Sequence, residues 1–362
     1  MNNYSNWGAV MRVHVTDLLE GDLLIKDTFN SYGLHVLSKG TVLHNPDISK
    51  LLQHHIDYVD VQERHTEPFP DRSLESIVSP KWLPSVQPDY KNAVKGFQDL
   101  FRKATNEGVI NDEEVQNAFL PLIKNFQLER DVVSMLLLLN TTDDYTYQHS
   151  VQVGMLSYYL ATWLDYTNEE SLQIGKAGFL HDIGKSRISD TILNKPAKLT
   201  TEEFDEVKKH AQYGHEIIEQ SFSDEPYLAV SALQHHERND GSGYPYGLTG
   251  DSIHPVSKII AVVDIYSAMI SERVYRKKRD LLFVLKELFK LSFSELDAHT
   301  THTFIKHMIP NFIGKKALLE SGETGVIIMT HPTEFFRPLI QIGDRFIDMT
   351  IERDYEIKEV LI

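Results

Sequence analysis

The sequence predicts a mainly α-helical protein with a small β-rich module at its N-terminal end and a short β module at its C-terminal end. Three observations carry that reading. Between about residues 90 and 319, apolar side chains recur at helical spacing, as at Val94, Phe97, Leu100 and Phe101. From about residue 10 to 65 the chain instead alternates apolar and polar, as in Arg12-Val13-His14-Val15 and Asp57-Tyr58-Val59-Asp60-Val61, with Gly21, Gly33 and Gly40 at turn-like intervals. Alternation returns after Gly322, in Val326-Ile327-Ile328-Met329, Leu339-Ile340-Gln341-Ile342 and Phe346-Ile347-Asp348-Met349.

Taken in order, 362 residues are more than one core usually serves. Residues 1–66 are expected to form the N-terminal module, of strands with one short helix over Pro46 to Ile56. Residues 67–140 read as a linker and helical connector. Pro68, Pro70, Pro80, Pro84 and Pro88, among Ser73, Ser76, Ser79 and Ser85, make the first part an extended arm rather than a packed element. A helical stripe then runs to Leu139. Residues 141–320 form the helical domain that holds the chemistry, and residues 321–362 the C-terminal β module.

Composition excludes several classes of function. With 36 Lys and Arg against 52 Asp and Glu, the net charge of −16 repels nucleic acid over the whole surface, so no nucleic-acid partner is expected. No run approaches the roughly 18 apolar residues of a membrane span, and the start, MNNYSNWGAVMRVHV, does not read as a secretory signal. A cytoplasmic protein is expected. Cysteine is absent, which removes disulfides, thiolate nucleophiles and cysteine metal sites together. Metal chemistry would have to draw on the 17 His with Asp or Glu.

The informative residues lie between His149 and Arg279. His181-Asp182-Ile183-Gly184-Lys185 closes a helix carrying Leu172, Ile174, Ala177 and Leu180. Adjacent His and Asp on a helix stand about 100° apart and can face one centre, and both are ligands for first-row divalent metals. A solvated helix end would read the same. The second marker runs from His235 to Pro245. Glu225-Pro226 opens its helix, Leu228, Ala229, Ala232 and Leu233 form the apolar face, and paired His235-His236 end it. Two buried rings without partners would be costly, and coordination resolves that cost. Asp240-Gly241-Ser242-Gly243 follows, a loop that can approach a ligand closely or simply turn. The third marker is Asp264, alone in the apolar run Ile259 to Ile270, where a buried carboxylate needs a metal, an Arg or a proton. His149 heads a helix with Val153, Leu156, Leu160 and Leu164. His210 lies in a helix announced by the capping box Thr200-Thr201-Glu202-Glu203. By themselves, His149 and His210 read better as surface or hydrogen-bonded core residues.

His181 to Lys185, and the run from His235 to Pro245 with Gly247-Leu248 beyond, resemble the two signatures of the HD-GYP family. That family comprises bacterial cyclic-dinucleotide phosphodiesterases within the HD metallohydrolase superfamily, and the resemblance spans about residues 141–315. It implies an HD-type helical fold and seven metal ligands. His149, His181, Asp182 and Asp264 would hold one ion, and Asp182 again, with His210, His235 and His236, a second. His215 falls outside the family spacing. Thiol-free, His-rich ligation implies two divalent ions, iron or manganese. Some members bind a third metal through a Glu four residues before the first His; Tyr145 stands there, so two are expected.

The implied activity is hydrolysis of cyclic-di-GMP to pGpG by a hydroxide bridging two metals, with further cleavage to GMP left open. Asp182 and Lys185 are the expected catalytic residues, Lys185 stabilising phosphorane charge. Gly243, Tyr244, Ser267, Arg273 and Arg276 are the expected substrate contacts. Arg273 and Arg276 belong to a basic cluster with Lys277, Lys278 and Arg279, where Lys277 and Lys278 read equally as cations at a helix C-terminus. The family usually has Asp at the position of Ser267 and Pro at that of Val274, so Ser267 bears on ligand orientation and rate. The rival readings are hydrolysis of another cyclic dinucleotide, and a cyclic-di-GMP receptor with little turnover. A homodimer is expected, and the resemblance implies signalling-protein partners through the Gly-Tyr-Pro surface.

Overall fold

The computed structural model describes most of residues 10–62, then 83–126, 145–270 apart from 196, 223 and 224, and 281–361. Two compact units result, Met1–Ser79 and Pro80–Ile362.

In the first unit, β1 (Val10–His14) pairs antiparallel with β4 (Tyr58–Gln62), matching Val13 to Val59 and Met11 to Val61. A shorter pair joins β2 (Thr28–Phe29) to β3 (His35–Leu37). Period-two alternation turns Val59 and Val61 into a core with Val13, Val15, Leu24, Leu43 and Leu51. Asp60, between them, points outward and pairs with Lys26 at 2.6 Å. Asp47, Ile48, Lys50 and Leu51 are helical, within the short helix expected there.

The second unit begins with α1 (Leu83–Glu107) and α2 (Asp112–Phe126). Pro84 and Pro88 were expected in an extended arm, and both lie inside α1. Pro84 falls in the first turn, where backbone N–H groups have no partner within the helix, so its missing donor costs nothing there. The linker residues from Pro68 to Pro80, and the end of the expected stripe at 127–139, lie outside the described residues. Phe97 of α1 and Phe119 of α2 meet Phe179 at 5.1 and 5.0 Å between ring centroids. These helices therefore share the core of α3 (Tyr145–Trp163) and α4 (Asn168–Leu180).

A short α5 (Asp190–Leu193) leads to α6 (Thr201–Lys208), which carries the expected capping box between Thr200 and Glu203. The helix does not run through to His210. It stops at Lys209, and His210 is the first residue of α7 (His210–Ser221). After α8 (Pro226–Gln234) comes α9 (Pro255–Ile270), buried nearly all round as its composition predicts, with Ile259, Ile260, Val262, Val263 and Tyr266 inside.

The helical part ends with α10 (Leu281–Leu291) and α11 (Ala298–Met308), about ten residues earlier than the sequence pattern suggests. Residues near Leu319 are already strand. In β5 (Lys316–Leu319), Ala317 and Leu319 turn inward, and this short alternation is too brief to separate from a helical stripe by pattern alone. The antiparallel sheet has the order β8 (Arg345–Asp348), β7 (Leu339–Ile342), β6 (Thr324–Met329), β5, β9 (Ile357–Leu361). Its inner face, with Ile327, Ile340, Ile347 and Val360, packs into the helical core. Among the described residues, no helix is long and apolar enough to cross a membrane.

Candidate metal centre

The site is built where four helices end or begin around α9. Helix α4 opens with a reciprocal capping box between Thr167 and Glu170 and stops at Leu180. His181 caps it. Asp182 has left the helix, at φ −100° and ψ 8°, and heads a 3-10 turn over Ile183–Arg187. The His-Asp pair therefore does not share a helix face, as the sequence suggested; a bridge-region backbone presents Asp182 instead. Gly184 allows this turn to press against the start of α7. A Cβ there would lie 2.0 Å from the His210 carbonyl oxygen and 2.3 Å from the Gly214 nitrogen.

Three imidazoles are held by their own helices. The Nδ1–H of His181 donates to the Gly178 carbonyl at 2.7 Å, that of His210 to Val207 at 2.6 Å, and that of His235 to Ala232 at 2.9 Å. In each case the carbonyl is three residues back, so a His at a helix boundary folds onto the preceding turn and leaves its Nε2 lone pair facing inward. The lone pairs converge on Asp182, whose two oxygens serve different groups. Its Oδ1 lies 3.3 Å from His210 Nε2 and 3.9 Å from His235 Nε2. Its Oδ2 lies 3.3 Å from His181 Nε2 and 3.9 Å from His149 Nε2. Asp264, on α9, completes the second side, with Oδ1 at 3.0 Å from His149 Nε2 and 3.9 Å from His181 Nε2. His236 has its Nδ1 at 3.8 Å from Asp264 Oδ2. By ligand-atom spacing the residues fall into Asp182, His210, His235 and His236 on one side, and His149, His181 and Asp264 on the other.

This donor set fits divalent cations. His181 Nε2 and Asp182 Oδ1 are buried without a hydrogen-bond partner, and His210 Nε2 faces His235 Nε2 at 3.2 Å with neither holding a proton to give. Buried lone pairs opposed in this way are unfavourable unless a cation lies among them. The charge states agree. Burial pushes His210 down to about 4, and lowers His149, His235 and His236 as well. For Asp182, burial alone would raise the pKa, but the Lys185 ammonium and the neighbouring imidazoles hold it well below the usual carboxylate range. Asp264 is held low in the same way, chiefly by its hydrogen bond with His149. His181 goes the other way: burial lowers it, and the Asp182 carboxylate more than offsets that. A proton on His181 would stand where a cation belongs.

The surrounding residues divide the sequence expectations. Lys185 donates to Asp182 Oδ2 from the turn that Asp182 heads. Tyr244 stacks on His236 at 4.6 Å between ring centroids and meets His210 edge-on at 6.3 Å. Gly243 has a backbone reason to be glycine. A Cβ would stand 2.4 Å from the His236 carbonyl oxygen and 2.5 Å from the Arg238 nitrogen, so the loop can lie on its own preceding backbone. Ser267, expected at the substrate, is completely buried behind His149, with its Oγ 3.0 Å from His149 Nδ1. Arg273 and Arg276 lie outside the described residues, as do Lys277, Lys278 and Arg279. His215 belongs to neither group, and its Nδ1 lies on the Ala229 carbonyl.

Two residues were given no role from sequence. Glu237 is buried, and its carboxylate accepts from the backbone N–H groups of Tyr246 and Leu248, both at 2.8 Å. It thereby ties the His235-His236 corner to the far side of the Tyr244 loop. A charged residue between paired His and a Gly-rich loop is the signal that could have found it. Gln152, buried one turn beyond His149, accepts from the Ser267 hydroxyl at 3.1 Å.

Comparison with known proteins agrees with this geometry. Residues 133–299 match the HD domain family. That match takes in a little under half of the chain. It is 35% identical over 204 residues to a Pseudomonas aeruginosa protein named cyclic di-GMP phosphodiesterase PA4108, covering 56% of this chain and 49% of that protein. It is 37% identical over 159 residues to 3'3'-cGAMP-specific phosphodiesterase 3 of Vibrio cholerae, covering 44% of this chain and 34% of that one. The chain thus spans half or less of either relative. Among solved structures, Bd1817 of Bdellovibrio bacteriovorus, described as an HDG"Y"P protein, matches with a TM-score of 0.50 at 15% identity over 82% of this chain and 98% of that one. That likeness concerns the fold.

Proposed function

We propose that this HD domain hydrolyses cyclic-di-GMP to pGpG, using a pair of divalent cations held by the seven His and Asp residues. The observation that carries the reading is Asp182, one carboxylate with an oxygen turned to each of two His groups. Iron or manganese suits a thiol-free, His-rich set. Cations bound there would lower the pKa of a water and draw charge from the phosphoryl oxygens.

The protein's own residues do the rest. His181, His210 and His235, locked by their Nδ1–H bonds, keep their lone pairs aimed and cost little reorganisation. Lys185 sets a positive charge beside Asp182, where negative charge develops on the phosphorus oxygens as the ribose 3' oxygen departs. Burial, and then the Asp182 and Asp264 charges, push the Tyr244 hydroxyl upward, so it stays protonated and donates a hydrogen bond to the substrate. Arg273 and Arg276 are proposed to grip phosphate or guanine. Ser267 acts on His149 rather than on the substrate.

A second substrate, a mixed cyclic GMP–AMP dinucleotide, is favoured by the likeness to the Vibrio cholerae enzyme. The test is turnover of both dinucleotides by the Mn(II)- or Fe(II)-loaded chain, with products separated by chromatography and Asp182→Asn alongside. The expected result is pGpG from cyclic-di-GMP, with loss of activity and of both cations in the variant. Two bound cations with no hydrolysis of either dinucleotide would refute the enzymatic reading in favour of a receptor.

A further inference from the structure

We propose that Phe204 and Lys208, on one face of α6, are substrate-binding residues for the half of a cyclic dinucleotide that does not react. Phe204 stacks on its purine, and Lys208 pairs with its phosphate. The proposal rests on the reading of the site as a cyclic-dinucleotide phosphodiesterase. Helix α6 buries none of its eight residues, and Phe204 is 46% exposed. A single exposed ring would by itself mean nothing. This one is joined to the metal centre. Lys208, four residues on and so on the same face, sets its Nζ 4.8 Å from the Phe204 ring centroid and 6.0 Å from that of Tyr244. Tyr244 stacks on His236 at 4.6 Å. A continuous row therefore runs outward from the proposed ligands: His236, Tyr244, Lys208, Phe204.

The helix that carries the row is pinned at both ends. At its start Thr200 and Glu203 form the capping box, and Lys195 Nζ donates to both Glu203 oxygens, at 2.7 and 2.6 Å. At its end the Val207 carbonyl accepts from His210 Nδ1–H. The turn that aims His210 thus also places Lys208. The ligand chemistry follows from the row. A cyclic dinucleotide with one phosphate at the cations carries its second phosphate and a purine away from them. A chain of net charge −16 repels that second anion unless a cation stands locally. Lys208 now pairs with Asp205 at 2.8 Å, at side-chain exposures of 35% and 59%. Exchanging so exposed a pair for a phosphate costs little. An open aromatic ring takes any purine face, because stacking does not read the edge groups of the base. Phe204 therefore serves guanine and adenine alike.

The test is steady-state turnover of cyclic-di-GMP by the Mn(II)-loaded full chain, with cations bound per chain measured alongside. Phe204→Ala should raise KM about tenfold, within the range for loss of one base–aromatic stack, and Phe204→Trp should stay within about threefold of wild type. Lys208→Gln should also raise KM about tenfold, the loss of one charge-assisted hydrogen bond, while Lys208→Arg keeps the charge and stays within about threefold. In all four variants kcat should hold within about threefold, because the contacts are the same in ground and transition states. Metal content should match wild type. A merely structural role predicts a different pattern: a disturbed α6 displaces His210, so metal content and kcat fall together. With an active wild type, three results overturn the inference alone. These are a KM within about twofold of wild type in Phe204→Ala or Lys208→Gln, no rescue by Trp or Arg, or a loss of metal in either truncated variant. A wild type that turns over no cyclic-di-GMP overturns the proposed function, and this inference with it.

Discussion

Replacing Gly184 with alanine tests whether the contact between the Asp182 turn and the start of α7 sets the cation geometry. The added Cβ would stand 2.0 Å from the His210 carbonyl oxygen, and ordinary contact begins at 3.4 Å, so the two segments must part by about 1.4 Å. Both facing groups are backbone, and no side chain can swing away to absorb the shift. Overpacking of this kind costs about 3 kcal/mol, the upper part of its usual range. At roughly 2 °C per kcal/mol for a domain of this size, the melting temperature should fall by about 6 °C. The chemical effect is the larger one. Ligand distances in a metal site tolerate about 0.2 Å, so a displacement several times that between Asp182 and His210 should empty the group formed with His235 and His236. Thermal unfolding and Mn(II) content of Gly184→Ala read the two effects separately. Gly322→Ala is the control, since nothing lies within 4 Å of that position and only its φ of +86° is strained. A Gly184→Ala protein that binds two cations and melts within about 2 °C of wild type would refute the reasoning.

Two further outcomes follow from the same geometry. In the metal-free protein, His149, His210, His235 and His236 are held below the usual value of 6.5, His210 at about 4. Groups lowered on folding stabilise above their unfolded pKa and lose that contribution as pH falls, so stability should drop between about pH 6.5 and 4 by about 1.4 kcal/mol per pH unit for each proton taken up. His181, raised by Asp182, acts with the opposite sign but above pH 6.5, outside this window; denaturant midpoints that stay flat between pH 6.5 and 4 would contradict the assignment. Glu237→Gln sets an amide NH2 against one of the two backbone N–H groups now accepted by the carboxylate, at a cost of about 1–3 kcal/mol. The loosened Tyr244 loop should raise KM for cyclic-di-GMP about tenfold, about 1.4 kcal/mol, with kcat within about threefold; a fall in kcat at constant KM would show that the loop acts on the chemistry instead.

Residue type alone made three of the proposed ligands legible, and the rest of the set came from the resemblance to a known family. A lone Asp264 in an apolar helix, and adjacent His235 and His236 at the end of an apolar face, are costly without a metal, and the fold gathers them with His149, His181, Asp182 and His210. What the sequence could not show is how each ring is aimed. The Nδ1–H bonds of His181, His210 and His235 go to backbone, which carries no residue code, and Ser267 meets Gln152 across 115 positions. The same limit applies to the fold. Periodicity showed that Val94, Phe97, Leu100 and Phe101 form a stripe, but the surface that covers it is a tertiary matter, here Phe119 and Phe179 among others. Pro84 misled because proline is informative about a helix only once its distance from the helix start is known; Pro88, past the first turn of α1, has no such explanation.

The proposed ligands are drawn from five helices or their ends, and His149 and Asp264 alone are 115 residues apart. An unfolded chain holds them no closer than loop entropy allows; only the neighbours His181-Asp182 and His235-His236 stay together. One half of the proposed site needs α4, α7 and α8 docked and the other α3, α4 and α9, so on this reading assembly precedes loading. This reverses the order in small zinc domains, where the ion drives folding. A finished pocket meets whichever ion its surroundings supply, and the choice of metal becomes a matter of exchange at a built site rather than of capture during synthesis.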